Sequence, residues 1–156
     1  MTKVDEFTIK FVTGSYKEYM LRAQESYRRE KVTMFWLREL IDSDDVVYDI
    51  GANVGAYSLF AGYVVARKGG QVYAFEPAYS NFNSLCLNII ENNLQETIMP
   101  YPIALSDKTK EGKFYLRSVI PGDALHAFGK AESEGRSFNH QFRQGAIATS
   151  LDEFVL

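Results

Sequence analysis

The chain has little sulfur, little imidazole and no long apolar run, and each shortage narrows its chemistry. The single cysteine, Cys86, excludes an internal disulfide and fits a reducing, cytoplasmic setting. It falls on the apolar side of a predicted helix, where a cysteine behaves as a small buried hydrophobe rather than a nucleophile. The two histidines, His126 and His140, have no metal-ligand spacing to Cys or acids, so no metal site is expected. No G-x-S-x-G segment is present, which removes the commonest serine-nucleophile elbow. Apolar stretches are broken by Gly, Arg or Lys well before the length a membrane helix needs. Met1 to Tyr16 carries Lys3, Asp5, Glu6 and Lys10 and lacks the apolar core of a signal peptide. The net charge of −3 leaves no basic footprint for nucleic acid. What remains is an ordinary globular composition, 46% apolar and 24% charged, in 156 residues, enough for one domain with a real core.

One stretch organises the rest: Val46-Val47-Tyr48-Asp49-Ile50-Gly51-Ala52-Asn53-Val54-Gly55. It reads as a short β-branched strand running through a glycine turn into a helix. Asp49 interrupts the apolar run at the strand's carboxyl end, where open α/β sheets bind ligands. Gly51 permits a positive φ or a close ligand approach, and Gly55 permits tight packing of the next helix. Free N–H groups at that helix start favour an anionic group such as a carboxylate. Gln71 to Phe75 reads as the next strand, with Glu76-Pro77 directly after it. An acid at that point, about 20 residues past the glycine turn, is where a βαβ unit holds ribose hydroxyls. Two carboxylates at neighbouring strand tips with glycines between them describe a nucleoside pocket.

A dinucleotide site wants G-x-G-x-x-G around its pyrophosphate. Here the pattern is D-x-G-x-x-x-G, so an NAD-dependent oxidoreductase is the weaker reading. The pattern resembles the first motif of class I S-adenosylmethionine (SAM)-dependent methyltransferases. The wording is closer still to one family. Asp49-Ile50-Gly51-Ala52-Asn53-Val54-Gly55-Ala56-Tyr57-Ser58 resembles the D-V-G-A-N-x-G-x-x-S segment of FkbM-type methyltransferases. Ala74-Phe75-Glu76-Pro77 resembles the A-F-E-P of that family, and Asn81-Phe82 with Leu85, Asn88 and Asn92 its following helix. Ala104-Leu105-Ser106-Asp107 resembles its A-L-S-D, and Thr149-Ser150-Leu151-Asp152-Glu153 its T-x-L-D-E. The resemblance covers roughly residues 30–156.

It implies a Rossmann-like α/β class I methyltransferase sheet, parallel strands flanked by helices, incomplete at the C-terminus. It implies SAM as cofactor and O-methylation of a hydroxyl on a small molecule or sugar. The implied cofactor residues are Asp49, Gly51, Ala52, Asn53, Gly55, Ser58, Glu76, Pro77, Ser106 and Asp107. Asp49 would suit the amine of the methionine tail, Glu76 the ribose, and Ser106 or Asp107 the adenine amino group. No catalytic base is named. Glu30 is a further acid that this resemblance could bring toward the cofactor, against a plain solvated cluster.

Along the chain, residues 1–32 read as an N-terminal extension and 33–156 as the SAM-binding domain. Phe7 to Val12 alternates like a strand, ended by Thr13-Gly14-Ser15; residues 16–31 show no clear helical stripe. Thr33 is a candidate N-cap for a helix to about Ile41, with Met34, Leu37 and Ile41 on one face. Gly55 to about Arg67 predicts a helix apolar nearly all round. Ser80 or Asn81 is expected to cap a helix bearing Phe82, Leu85, Cys86 and Ile89. Ile98 to Ile103 reads as a strand confined to a sheet edge by Pro100 and Pro102. Glu111-Gly112 suggests a hairpin turn before a strand at 113–117. Residues 118–145 are loop-like, and 146–149 read as a strand. Both histidines lie in that loop, as surface groups or, in the sharper reading, as holders of a methyl acceptor. Ser150 and Glu153 form a capping-box pattern for a helix that has little chain left at Leu156.

The resemblance also implies a fourth strand beside Val46–Ile50, for which this sequence shows no segment. The chain then reads as shortened, with an exposed apolar strand edge open to self-association or a partner. A non-catalytic SAM-binding or interaction module is the alternative function.

Overall fold

The computed structural model describes residues 1–14 and 16–155, with Lys17 by its backbone alone. Ser15, in the turn expected after the first strand, and the terminal Leu156 lie outside the described residues. The centre is a three-stranded parallel sheet in the order β3 (Val46–Ile50), β4 (Gln71–Phe75) and β5 (Ile98–Tyr101). Val47 lies beside Val72, and Val72 beside Ile98. Two crossover helices, α4 (Ala56–Val65) and α5 (Tyr79–Glu91), connect the strands, as parallel pairing requires. One core runs through Val47, Leu59, Val72, Leu85, Ile89 and Ile98.

The N-terminal residues pack into that same core. A hairpin of β1 (Thr2–Val4) and β2 (Phe7–Ile9) buries Val4 and Ile9. The Phe7 ring stacks on Tyr63 and meets Phe60 edge-on. Lys10 and Val12 donate their backbone N–H groups to the Asn92 and Asn88 side chains. Residues 16–29, which lack a readable stripe, are helical: α1 (Tyr16–Glu18), a π-helical stretch over Tyr19–Glu25, and α2 (Ser26–Arg29). Helix α3 spans Lys31–Glu39, starting before the expected cap at Thr33 and ending before Ile41. Met34 and Leu37 are buried, as the periodicity predicts.

Strand β5 stops at Tyr101, short of the expected Ile103. The Thr97 and Tyr101 carbonyls accept from Val72 in β4 and from Glu76 just past its end, so odd-numbered residues of β5 face the sheet. Pro100 therefore points its missing donor outward, as an edge strand tolerates.

A second, mixed sheet has the order β6 (Ala104–Leu105), β11 (Phe142–Thr149), β7 (Lys110–Leu116) and β8 (Ala127–Phe128). It corrects three expectations. Glu111-Gly112 is no turn; both residues lie inside β7, opposite Ile147 and Ala146. A Cβ on Gly112 would stand 2.6 Å from the Phe128 ring, so this glycine marks a close side-chain approach across the sheet. Residues 142–145 belong to β11 rather than to a loop, and Gly145 sits opposite Lys113. Ala104-Leu105, beyond the strand expected to end at Ile103, forms a strand of its own and pairs in parallel with Ala148-Thr149. A small hairpin of β9 (Glu132–Ser133) and β10 (Arg136–Ser137) also interrupts the expected loop.

The short α6 (Leu151–Val155) is held by contacts rather than by length. Ser150 Oγ accepts the Glu153 N–H, which is half of a capping box. The Glu153 carboxylate also accepts from Thr109 N–H and Oγ1. Phe154 packs edge-on against Phe75 and Tyr101 at 4.9 and 4.8 Å. No helix among the described residues is long and apolar enough to cross a membrane.

Candidate functional site

The site grows from the carboxyl ends of β3 and β4. After Ile50 the chain passes through three left-handed residues, Gly51 (φ +80°), Asn53 (φ +54°) and Gly55 (φ +90°). Gly51 and Ala52 both donate N–H to the Phe75 carbonyl, at 2.9 and 3.0 Å, which ties the turn to the end of β4. A Cβ at Gly55 would stand 2.6 Å from Leu85 Cδ1, so only glycine lets α4 and α5 meet here. A Cβ at Gly51 would meet nothing within 4 Å. That glycine serves its backbone conformation and leaves an open face beside it.

Glu76 sits where β4 ends, 5% exposed. Its Oε2 accepts the Asn53 N–H and its Oε1 the Ala78 N–H, both at 2.8 Å. The Asn81 amide is a third donor to this carboxylate, which leaves one lone pair for a ligand hydroxyl. Burial raises its pKa to about 7, against the pull of the Ala78 and Asn53 N–H groups and the Asn81 amide. Glu76, Gly51, Asn53 and Pro77 line one cleft of about 320 Å³, a volume in the range of small-ligand sites. The far wall is apolar and aromatic: Phe75, Ile103, Leu105, Phe114 and Phe128.

Asp49 lies elsewhere. Alternation in β3 turns it toward α4, where its carboxylate accepts Ser58 Oγ–H at 2.5 Å. Burial raises its pKa. It borders a separate small cavity beneath α3, with Trp36 and Tyr57, and not the cleft. Ser106 and Asp107 are also off the cleft lining, which that stretch reaches through Ala104 and Leu105. Asp107 accepts from Ser106 Oγ and pairs with Lys110, a contact that holds its pKa at about 2. Glu30 is exposed at the junction of α2 and α3.

The structure gives several residues a place in the site that the sequence reading did not assign. A strap at 120–126 lines the cleft through Ala124, Leu125 and His126. Asn53 Nδ2 and Asn81 Nδ2 both donate to the Asp123 carbonyl, at 2.8 and 3.1 Å. Asn81 Oδ1 accepts the Gly122 N–H, and Arg22 Nε donates to the Gly122 carbonyl. Asn81 therefore holds the strap and does not cap α5, whose first residue is Tyr79 and whose N-cap, Ala78, makes no side-chain bond. Asn88, fully buried, donates to the Val54 carbonyl and so braces the glycine turn from behind. Asn81, Asn88 and Asn92 share one helix face at spacings of seven and four. A polar stripe of this kind inside an apolar helix was the available signal. Arg22 had none, because it sits in the π-helical stretch. Cys86 is half-buried on α5.

The family model described as Methyltransferase FkbM domain matches residues 49–156. The 31-O-demethyl-FK506 methyltransferase FkbM of Streptomyces tacrolimicus is 36% identical over 74 residues, covering 46% of this chain and 28% of that protein. The chain thus spans less than a third of that curated relative. Among solved structures, a putative transferase from Pyrococcus horikoshii aligns at 26% identity, with a TM-score of 0.39, over 44% of this chain and 25% of its own. The precorrin-6y C5,15-methyltransferase of Geobacter metallireducens aligns at 20% identity, with a TM-score of 0.45, over 58% and 42%.

Proposed function

Because this chain belongs to the FkbM methyltransferase domain family, we propose that its cleft binds S-adenosylmethionine for methylation of a hydroxyl oxygen on a small molecule or sugar. The carrying observation is Glu76, a buried carboxylate that lines the cleft, held by two backbone N–H groups and the Asn81 amide with one acceptor site left over. That remaining acceptor suits a ribose hydroxyl. The adjoining apolar wall suits a flat ring, and the open face at Gly51 admits a ligand against bare backbone. On this reading Gly51, Ala52, Asn53, Gly55, Glu76 and Pro77 form the cofactor side. Ala104 and Leu105 border the ring in place of Ser106 and Asp107. Asp49 positions the turn through Ser58 and does not touch the amine. The N–H groups at the start of α4 suit the carboxylate of the methionine tail.

When bound, SAM supplies an electrophilic methyl group on its sulfonium. The chain's own contribution is alignment and water exclusion: a rigid turn, a buried carboxylate and a strap pinned by Asn53 and Asn81. For an in-line displacement such positioning supplies much of the rate. Incubation with methyl-labelled SAM and a panel of hydroxyl compounds, with binding measured alongside, tests the proposal. Label transfer supports it, and absence of SAM binding overturns it.

A second reading, a SAM-binding module that transfers nothing alone, draws on the open side of β3. That strand pairs with β4 only among the described residues, and Val46 and Ile50 are 53% and 57% exposed. Binding without transfer, with transfer restored by a partner chain, would favour it.

A further inference from the structure

Arg22 lies in the π-helical stretch, outside the residues 49–156 that the family model matches. Its Nε donates to the Gly122 carbonyl at 2.6 Å. Gly122 makes room for it: a Cβ there would stand 3.2 Å from Arg22 Cγ and 3.1 Å from Glu18 Cγ, at φ +85°. The next carbonyl along the strap, that of Asp123, takes the Asn53 side chain. Consecutive Cα atoms are about 3.8 Å apart across a trans peptide. The guanidinium and the glycine turn therefore grip neighbouring points of the strap.

No carboxylate sits on this guanidinium. Arg22 enters no ion pair among the described residues. Glu18, one helical turn earlier, gives its Oε2 to the Gly14 N–H. Asp123 and Glu76 attract Arg22 only from beyond salt-bridge range. Tyr57, in the first turn of α4, and His126, on the cleft wall, also feel its charge. Burial lowers the pKa of Arg22, as for a cation partly withdrawn from water, though a guanidinium stays charged at neutral pH. With Nε engaged, the remaining four N–H groups are left for water or a ligand. The side chain is half-buried rather than sealed, so those groups stay reachable. A withdrawn charge without a close partner invites a counterion.

The cofactor reading supplies one. With the ribose at Glu76 and the ring against the apolar wall, the amino-acid tail runs along the glycine turn toward the start of α4. The helix N–H groups and Arg22 both favour an anion there. A carboxylate also matches the planar guanidinium edge with two parallel hydrogen bonds.

We propose that Arg22 pairs through its Nη edge with the carboxylate of the cofactor's amino-acid tail, so that the N-terminal segment completes the cofactor site. This rests on the cofactor reading above and adds a residue outside the matched family segment.

The test is calorimetric titration with S-adenosylhomocysteine and its decarboxylated analogue, which keeps the adenosine, the sulfur and the amine. Wild type, Arg22→Gln and Arg22→Met are compared. Wild type should bind the decarboxylated compound about tenfold or more weakly, as for a lost hydrogen bond between charged groups. Arg22→Gln keeps a donor for the Gly122 carbonyl but not the charge. It should bind S-adenosylhomocysteine about tenfold more weakly than wild type does, and the decarboxylated compound within about threefold of wild type. Arg22→Met should behave the same way. An arginine that only ties down the strap would weaken both compounds equally, and that result overturns the inference. Discrimination as large in either variant as in wild type also overturns it, and would leave Arg22 to an anionic methyl acceptor. Equal wild-type binding of the two compounds overturns it even if neither variant folds. Wild type that binds neither S-adenosylhomocysteine nor 5′-methylthioadenosine, which lacks the whole tail, overturns the cofactor reading itself, which separates the two failures.

Discussion

Replacing Glu76 by glutamine should change both the pH dependence of folding and the proton balance of ligand binding. The folded pKa of Glu76 is about 7, raised chiefly by burial, against an ordinary value of 4.5. Between those values the folded chain holds a proton that the unfolded chain has released. The sign follows: this group favours folding fully below about pH 4.5, and its contribution is lost as pH rises through 7. The gap from 4.5 to about 7, at about 1.36 kcal/mol per pH unit, is about 3 kcal/mol. Urea unfolding of wild type and Glu76→Gln at several pH values measures it. The wild-type stability minus that of the variant should fall by about 3 kcal/mol from pH 4.5 to 8. Binding carries the opposite sign. Hydroxyl donors require the carboxylate, so S-adenosylhomocysteine should bind more tightly as pH rises toward 7. Below pH 7 binding should release up to one proton, seen as a buffer-dependent heat. Glu76→Gln should release none and lose about 1.5–3 kcal/mol of affinity, the worth of hydrogen bonds to a charged group. A stability difference flat with pH, together with an unchanged dissociation constant, would refute the role given to Glu76.

Three further perturbations separate packing from binding. Gly55→Ala drives a Cβ to 2.6 Å from Leu85 at φ +90°, so thermal unfolding should show a loss of about 2–4 kcal/mol. Gly51→Ala carries only the conformational cost of about 1–2 kcal/mol, because its Cβ meets open space, yet it should weaken ligand binding more than Gly55→Ala does. Asn81→Leu leaves the Gly122 N–H unpaired and should cost about 1–3 kcal/mol, with faster hydrogen exchange confined to the strap. If the β3 edge pairs between copies, sedimentation velocity should show concentration-dependent association that Val46→Lys abolishes; a monomer at every concentration rules that pairing out.

The legible part of this protein was local. Gly51, Gly55 and Glu76 announced themselves because backbone conformation and strand-end position restrict residue type there. The proline spacing at 100 and 102 put β5 at the sheet edge, and Pro100 does point outward. Gly112 misled because one signal serves two purposes: a glycine that makes room for the Phe128 ring looks like a turn glycine. Asp49 and Glu76 seemed a matched pair at adjacent strand tips, but alternation within β3 sends Asp49 to Ser58 and α4. The strap was beyond local reading altogether. Its bonds join Asn53 and Asn81 to Gly122 and Asp123, far apart in the chain, and such contacts have no periodicity to detect.

The central claim is that the cleft beside Glu76 takes an adenosyl group attached to an amino-acid tail. Calorimetric titration of the wild-type chain with S-adenosylmethionine, and separately with NAD, addresses it most directly. The expected result is a single saturable site for S-adenosylmethionine and no heat with NAD. Saturable binding of NAD, or no heat with S-adenosylmethionine, would contradict the account.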